Sequence, residues 1–139
     1  MKVLSVAILF ILVAVSLGQS VQIGVPKSGA TIPAGRPFTV QIQKPDTITG
    51  SEELFLAISV ASCPCGNPQD SFAGAILYNG TFNPQFHDGI PPPPFQDFYL
   101  TIPSDFPKGA AQINVLNLEL VADAMYPMLQ FLNTSITVA

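Results

Sequence analysis

The sequence predicts an all-β domain, two antiparallel sheets packed face to face from about seven strands, behind an N-terminal signal peptide. Three observations predict it. The 14 prolines and 10 glycines punctuate the chain into short segments of strand length. Several of those segments alternate apolar and polar residues, the period of a half-buried strand. Beyond the N-terminus, no long stretch carries a convincing helical period. Short strands with even turn spacing suit a sandwich of the immunoglobulin or fibronectin-III type. The architecture is meant, not the antibody superfamily, because the Cys…Trp…Cys signature is missing in a chain without Trp.

The elements follow in order. Residues 21–25 form a first strand, stopped by Pro26, with turns at Ser28-Gly29 and Pro33-Ala34-Gly35. Residues 38–44 alternate: Phe38, Val40 and Ile42 point one way, Thr39, Gln41 and Gln43 the other. A polar turn spans 45–51. Residues 54–61, LFLAISVA, are apolar on both faces and read as a central strand. Residues 75–78 make a short strand ending at Asn79-Gly80, a tight-turn signal. Phe98, Leu100 and Ile102 alternate with Tyr99 and Thr101 in the next strand, closed by Pro103 and Pro107. Residues 113–121 change phase: Ile113 and Val115 share one, Leu116, Leu118 and Leu120 the other. A bulge near Val115-Leu116 would reconcile them, and a short helix is the alternative. In the last strand Leu132, Thr134, Ile136 and Val138 share a face, which turns Asn133 outward.

The N-terminus sets the compartment. Lys2 precedes an apolar run over residues 3–17, then small residues Ser16 and Gly18 at the positions a signal peptidase reads. That run is shorter than the roughly 20 residues of a spanning helix. Residues 1–18 are therefore expected to be a cleaved signal peptide, and residues 19–139 one secreted, extracellular domain without stable membrane insertion. Two sequons, Asn79-Gly80-Thr81 and Asn133-Thr134-Ser135, fit an N-glycosylated product, whereas Pro follows Asn67 and Asn83. Without Lys2, four basic residues face nine acidic ones, a net charge of −5. No basic patch exists to neutralise phosphates, so nucleic acid is not an expected partner.

Few residues carry candidate chemistry. Cys63-Pro64-Cys65 is the cysteine pair, and an oxidising compartment favours a disulfide. A bridge across one residue closes a tiny loop and adds little stability. A stiffened loop, a redox role and intermolecular pairing are the readings it leaves open. One His beside two Cys falls short of tetrahedral zinc coordination. His87 is the sole histidine and is followed by Asp88. Adjacent loop residues rarely face each other, and no G-x-S-x-G nucleophile motif accompanies them. No metal, cofactor or catalytic residue is expected, and the chain reads as a non-enzyme. Residues 91–94 are four prolines, either a polyproline II ligand for a partner or a stiff connection.

A series of phrases runs along the chain: Val40-Gln41-Ile42-Gln43-Lys44-Pro45 and Ile48-Thr49-Gly50-Ser51-x-Glu53, then Leu77-Tyr78-Asn79-Gly80 and Asn83-Pro84-Gln85-Phe86-His87. Ile102-Pro103-Ser104, Pro107-Lys108-Gly109-x-Ala111, Leu120-Val121, Pro127 with Leu129, and Leu132-Asn133 follow. In this order they resemble the small fungal necrosis-inducing secreted protein family, over nearly the whole mature chain. It implies a secreted effector that binds a host protein, plant receptor-like kinases among them, suppresses immune signalling and can trigger cell death. Two places depart from the family pattern: the close cysteine spacing, and Ala122-Asp123-Ala124-Met125-Tyr126 where a glycine-rich phrase is common.

The expected contact surface is the loop over residues 82–95, with Phe82, Phe86, His87 and Phe95 as partner-binding residues. Exposed aromatics on a rigid scaffold anchor interfaces. The competing reading of the same phenylalanines is that they cover the core edge. The second functional class is a wall- or matrix-associated, carbohydrate-binding domain of the producing fungus, for which aromatics are scarce: Trp is absent and Tyr is limited to Tyr78, Tyr99 and Tyr126.

Overall fold

A computed structural model describes residues 21–45 and 50–139. The predicted signal peptide and most of the turn predicted over 45–51 lie outside these residues. Eight strands form among the described residues: β1 (Gln22–Val25), β2 (Ala30–Ile32), β3 (Pro37–Gln43), β4 (Ser51–Ser62), β5 (Ala75–Gly80), β6 (Phe95–Thr101), β7 (Gly109–Val121) and β8 (Tyr126–Val138). They make a three-stranded sheet, β1-β3-β6, and a five-stranded sheet, β2-β8-β7-β4-β5. The fold is thus all-β, as the punctuation and alternation predict. The strand order is that of an immunoglobulin-type sandwich, with one chain-distant pair, β3 and β6, facing a second sheet built on β4, β7 and β8.

The core lies between the sheets. Val40, Ile42 and Phe98 come from the small sheet, and Leu56, Ile58, Val60, Ile113, Val115, Ile136 and Val138 from the large one. The inward phases are the ones the alternation assigns to β3, β6 and β8. Thr39, Gln41, Gln43 and Tyr99 accordingly face outward on the small sheet, and Asn133 outward on the large one. β4 is interior, paired with both β7 and β5, in keeping with its two apolar faces.

Three sequence expectations need correction. Asn79-Gly80 is no hairpin turn. Both residues belong to β5, an edge strand of the large sheet, and the chain then crosses to β6 in the other sheet. The Asn-Gly signal presumes that consecutive strands are neighbours, and here they are not. No bulge breaks β7, whose register with β4 and β8 runs unshifted through Val115 and Leu116. The irregularity sits on β4, between Glu53 and Phe55. The phase change is real because the inner face of β7 turns polar at Asn117 and Glu119, while Leu116, Leu118 and Leu120 lie on the outer face. Finally, β2 was not foreseen. Three residues are too few for alternation to register, and β2 is held by parallel pairing with β8. A tight hairpin turn at 122–125 joins β7 to β8. There Met125 N–H donates to the Ala122 carbonyl at 3.1 Å, and Ala122 and Met125 take φ values of 61° and 56°. Neither is a residue that announces such a turn.

Candidate functional site

The loop predicted as the contact surface is built around Phe95. The pairing of Phe95 with Gln43 puts its ring on the outer face of the small sheet. The incoming chain then folds back on it: Gln85 and Phe95 exchange both backbone hydrogen bonds at 3.0 Å. That pairing lays the His87 ring flat on the Phe95 ring, with centroids 4.0 Å apart and planes within 10°. The Asn83 N–H donates to Gln96 Oε1 at 2.8 Å, and Ile90 N–H to the His87 carbonyl at 3.1 Å. The entry of the loop, at Asn83 and Gln85, is therefore pinned to the start of β6, and the Ile90–His87 bond closes a turn within the loop.

This arrangement divides the four predicted contact residues. Phe82 (4 % exposed) packs in the core against Phe98, and Phe95 (7 % exposed) lies beneath His87. Neither offers a partner much area: Phe82 belongs to the core, and Phe95 is covered on the outer face of the small sheet by His87. Phe86 is 66 % exposed, His87 is exposed, and Ile90 stands out beside them at 51 %. The four prolines bend at Pro92 and Pro93 and bury Pro94, whose carbonyl accepts from the Lys44 N–H at 2.9 Å. They serve here as a stiff connection anchored to the end of β3.

Continuing along β6, the outward residues after Phe95 are Asp97 and Tyr99, and Tyr99 is 77 % exposed. Beside them a chain of side-chain hydrogen bonds crosses the sheet. Gln43 Nε2 donates to Gln41 Oε1 at 2.9 Å, and Gln41 Nε2 to Asp97 Oδ1 at 3.2 Å. Gly24 makes room for it on β1, since a Cβ there would come within 2.4 Å of Gln41 Oε1. The outward phase of Gln41, Gln43 and Tyr99 is legible in the sequence. The Asp97 partner is not, because it depends on the β3–β6 register.

On the large sheet, Cys63 and Cys65 are bonded to each other, S–S 1.96 Å. The loop they stiffen lies over the polar part of the outer face. Ser59 Oγ donates to the Ala73 carbonyl at 3.2 Å, and Gln112 Nε2 to the Gly66 carbonyl at 3.0 Å. A cavity of about 270 Å³ remains between that loop and the side chains of Gln112 and Asn114. Gly74 returns the loop against β4 so closely that a Cβ would stand 2.0 Å from the Val60 carbonyl oxygen.

One ionic cluster is buried between the sheets. The Lys44 ammonium, just beyond β3, bonds the Glu119 carboxylate of β7 and lies 3.0 Å from Glu53 Oε1 on β4. Gln130 Nε2 of β8 donates to Glu119 Oε1 at 2.9 Å. Burial raises the Glu119 carboxyl above its ordinary value. The bond from Lys44 works against that rise, and Glu53 adds to it. The signal for this cluster is one carboxylate, Glu119, in phase with Ile113 and Val115 on an apolar strand. Asn117, on the same face, finds no hydrogen-bond partner for either amide atom among the described residues.

No curated protein matches the chain. The sequence pattern of the Nis1 family matches residues 17–137. The matched stretch takes in the two sheets, the pinned loop and the buried cluster, and the chain belongs to the Nis1 family.

Proposed function

We propose that this protein is a secreted, effector-like binding protein that acts by occupying a surface of a host protein, without catalysis. Plant receptor-like kinases of immune signalling are the first partner class to test. The observation that carries the reading is the exposed surface at the pinned loop, where Phe86 follows directly on Gln85, bonded to β6, and Ile90 stands on the turn closed by its bond to His87. A preordered loop presenting an exposed ring loses little entropy on binding, so the ring's buried area counts towards affinity. Membership of the Nis1 family supports the effector part, given the phrases the sequence shares with necrosis-inducing secreted proteins. Two extended N-glycosylation sequons on outward positions suit an extracellular route.

The test is a capture experiment with the purified glycosylated protein and leaf membrane extract. Receptor-like kinases retained by the wild type and lost with Phe86→Ala, at unchanged thermal stability, support the reading. Retention of the kinases by Phe86→Ala moves the contact elsewhere.

One observation favours a second reading, a carbohydrate-binding domain. Tyr99 stands on the outer face of the small sheet beside the Gln43–Gln41–Asp97 chain, an exposed aromatic next to fixed donors and acceptors. Retention on neutral wall polysaccharide, lost with Tyr99→Ala and kept with Phe86→Ala, would favour it.

A further inference from the structure

The outer face of the large sheet is divided. Its upper part is covered by the disulfide loop. Its lower part is open and apolar: Phe55 pairs with Leu118 and Leu118 with Leu129, while Leu116 pairs with Phe131 on the next row. Phe55 is 36 % and Leu129 52 % exposed. A contiguous exposed apolar patch of this kind marks a surface on which something docks.

Both sequons open onto this same face. Asn79 pairs with Ala57, and Ala57 with Leu116, so the row reads Asn79, Ala57, Leu116, Phe131 across four strands. Asn133 is two residues beyond Phe131 on β8 and pairs with Asn114, which places it on the outward phase as well. Asn79 thus lies roughly 10 Å from Leu116 across the sheet, and Asn133 about 7 Å from Phe131 along the strand. Both asparagines are exposed. The small sheet and the pinned loop, by contrast, bear neither sequon.

We propose that the occupant of the apolar face is the protein's own carbohydrate: N-glycans on Asn79 and Asn133 fold over Phe55, Leu116, Leu118, Leu129 and Phe131. The sugars nearest each asparagine carry N-acetyl methyl groups and the C–H faces of their rings. They can therefore cover apolar side chains while keeping their hydroxyls in water. The glycans arrive from two sides of the patch, one from edge strand β5 and one from β8, and the disulfide loop bounds it above. The consequence is directional. Carbohydrate blocks the large sheet, and the small-sheet side with Phe86 and Tyr99 is the side left for partners.

The inference rests on the secretory reading, and the experiment separates the two. The full chain is secreted from a eukaryotic host, and peptide mass mapping reads occupancy at Asn79 and Asn133. A secreted product with both asparagines bare overturns the proposal without touching the secretory reading, and a chain that is never secreted overturns both. The glycosylated protein is then compared with enzymatically deglycosylated protein by binding of an apolar-surface dye and by light scattering. Removal of the glycans is expected to raise dye fluorescence several-fold and to promote self-association. Leu129→Glu in the deglycosylated protein is expected to reverse both changes. Unchanged dye binding on deglycosylation would overturn the proposal. So would a glycosylated protein that already dimerises and that Leu129→Glu makes monomeric, since the face would then be a protein interface.

Discussion

Replacing Lys44 by Met tests the buried cluster. The substitution keeps the length and apolar stem of the side chain and removes its charge. It leaves Glu119, fully buried, and Glu53, mostly buried, facing each other between the sheets without their cation. Breaking a buried ion pair by removing one partner costs about 3–5 kcal/mol, because an uncompensated charge stays inside. For a domain of this size each kcal/mol moves Tm by roughly 4 °C, so the loss at pH 7.5 should be about 12–20 °C. The loss must depend on pH. Burial already makes the Glu119 carboxyl easier to protonate in the folded than in the unfolded chain, and loss of the Lys44 cation removes what opposes that rise. A group whose folded value is raised disfavours the folded state above that value and ceases to do so below it. At pH 4.5 the deficit should therefore fall to less than half. Thermal melts of wild type and Lys44→Met at the two pH values decide the matter. A deficit under about 4 °C at pH 7.5, or an equal deficit at both, would refute the account of the cluster.

Other outcomes follow from the same packing. Glu119→Gln removes a carboxyl raised chiefly by burial. Its Tm relative to wild type should rise between pH 4.5 and 7.5, and a relative fall over that range contradicts the assignment. Asn117→Leu replaces a buried amide without partners by an apolar side chain of similar volume, and chemical denaturation should show a gain of about 1–2 kcal/mol. A loss of that size would mean the amide is satisfied after all. Gly74→Ala adds a Cβ where the Val60 carbonyl oxygen already stands, at a φ of 99°. It should cost about 3–5 kcal/mol, read as a fall in Tm of more than 10 °C.

How far the sequence reaches is best seen strand by strand. The alternation of Phe38, Val40 and Ile42, and of Leu132, Ile136 and Val138, is a local signal, and the inward faces it assigns are the observed ones. What the chain hides is pairing at a distance. β2 exists because β8 lies beside it, and Asn79-Gly80 fails as a turn because the next strand joins the other sheet. The phase change in β7 is visible as letters, yet its cause is Lys44, which lies 75 residues away from Glu119 along the chain. The site behaves alike. Phe82, Phe86 and Phe95 are indistinguishable as residue types. Packing against Phe98 buries Phe82, the return of Gln85 and the stacking of His87 cover Phe95, and Phe86 is left in water. The hairpin at 122–125 escapes for another reason, since Ala and Met take the left-handed conformations that sequence rules reserve for Gly and Asn.

The proposed binding runs through the pinned loop. Its most direct test is the binding of the purified, glycosylated protein to leaf membrane receptor-like kinases, with a Phe86→Ala/Ile90→Ala variant and a Leu129→Glu variant measured alongside. Kinase binding is expected of the wild type and of Leu129→Glu. At least about a tenfold loss of affinity is expected of the loop variant, whose Tm should match the wild type because both residues are exposed. Full binding by the loop variant, or retention of the wild type on wall polysaccharide alone, would contradict the proposal.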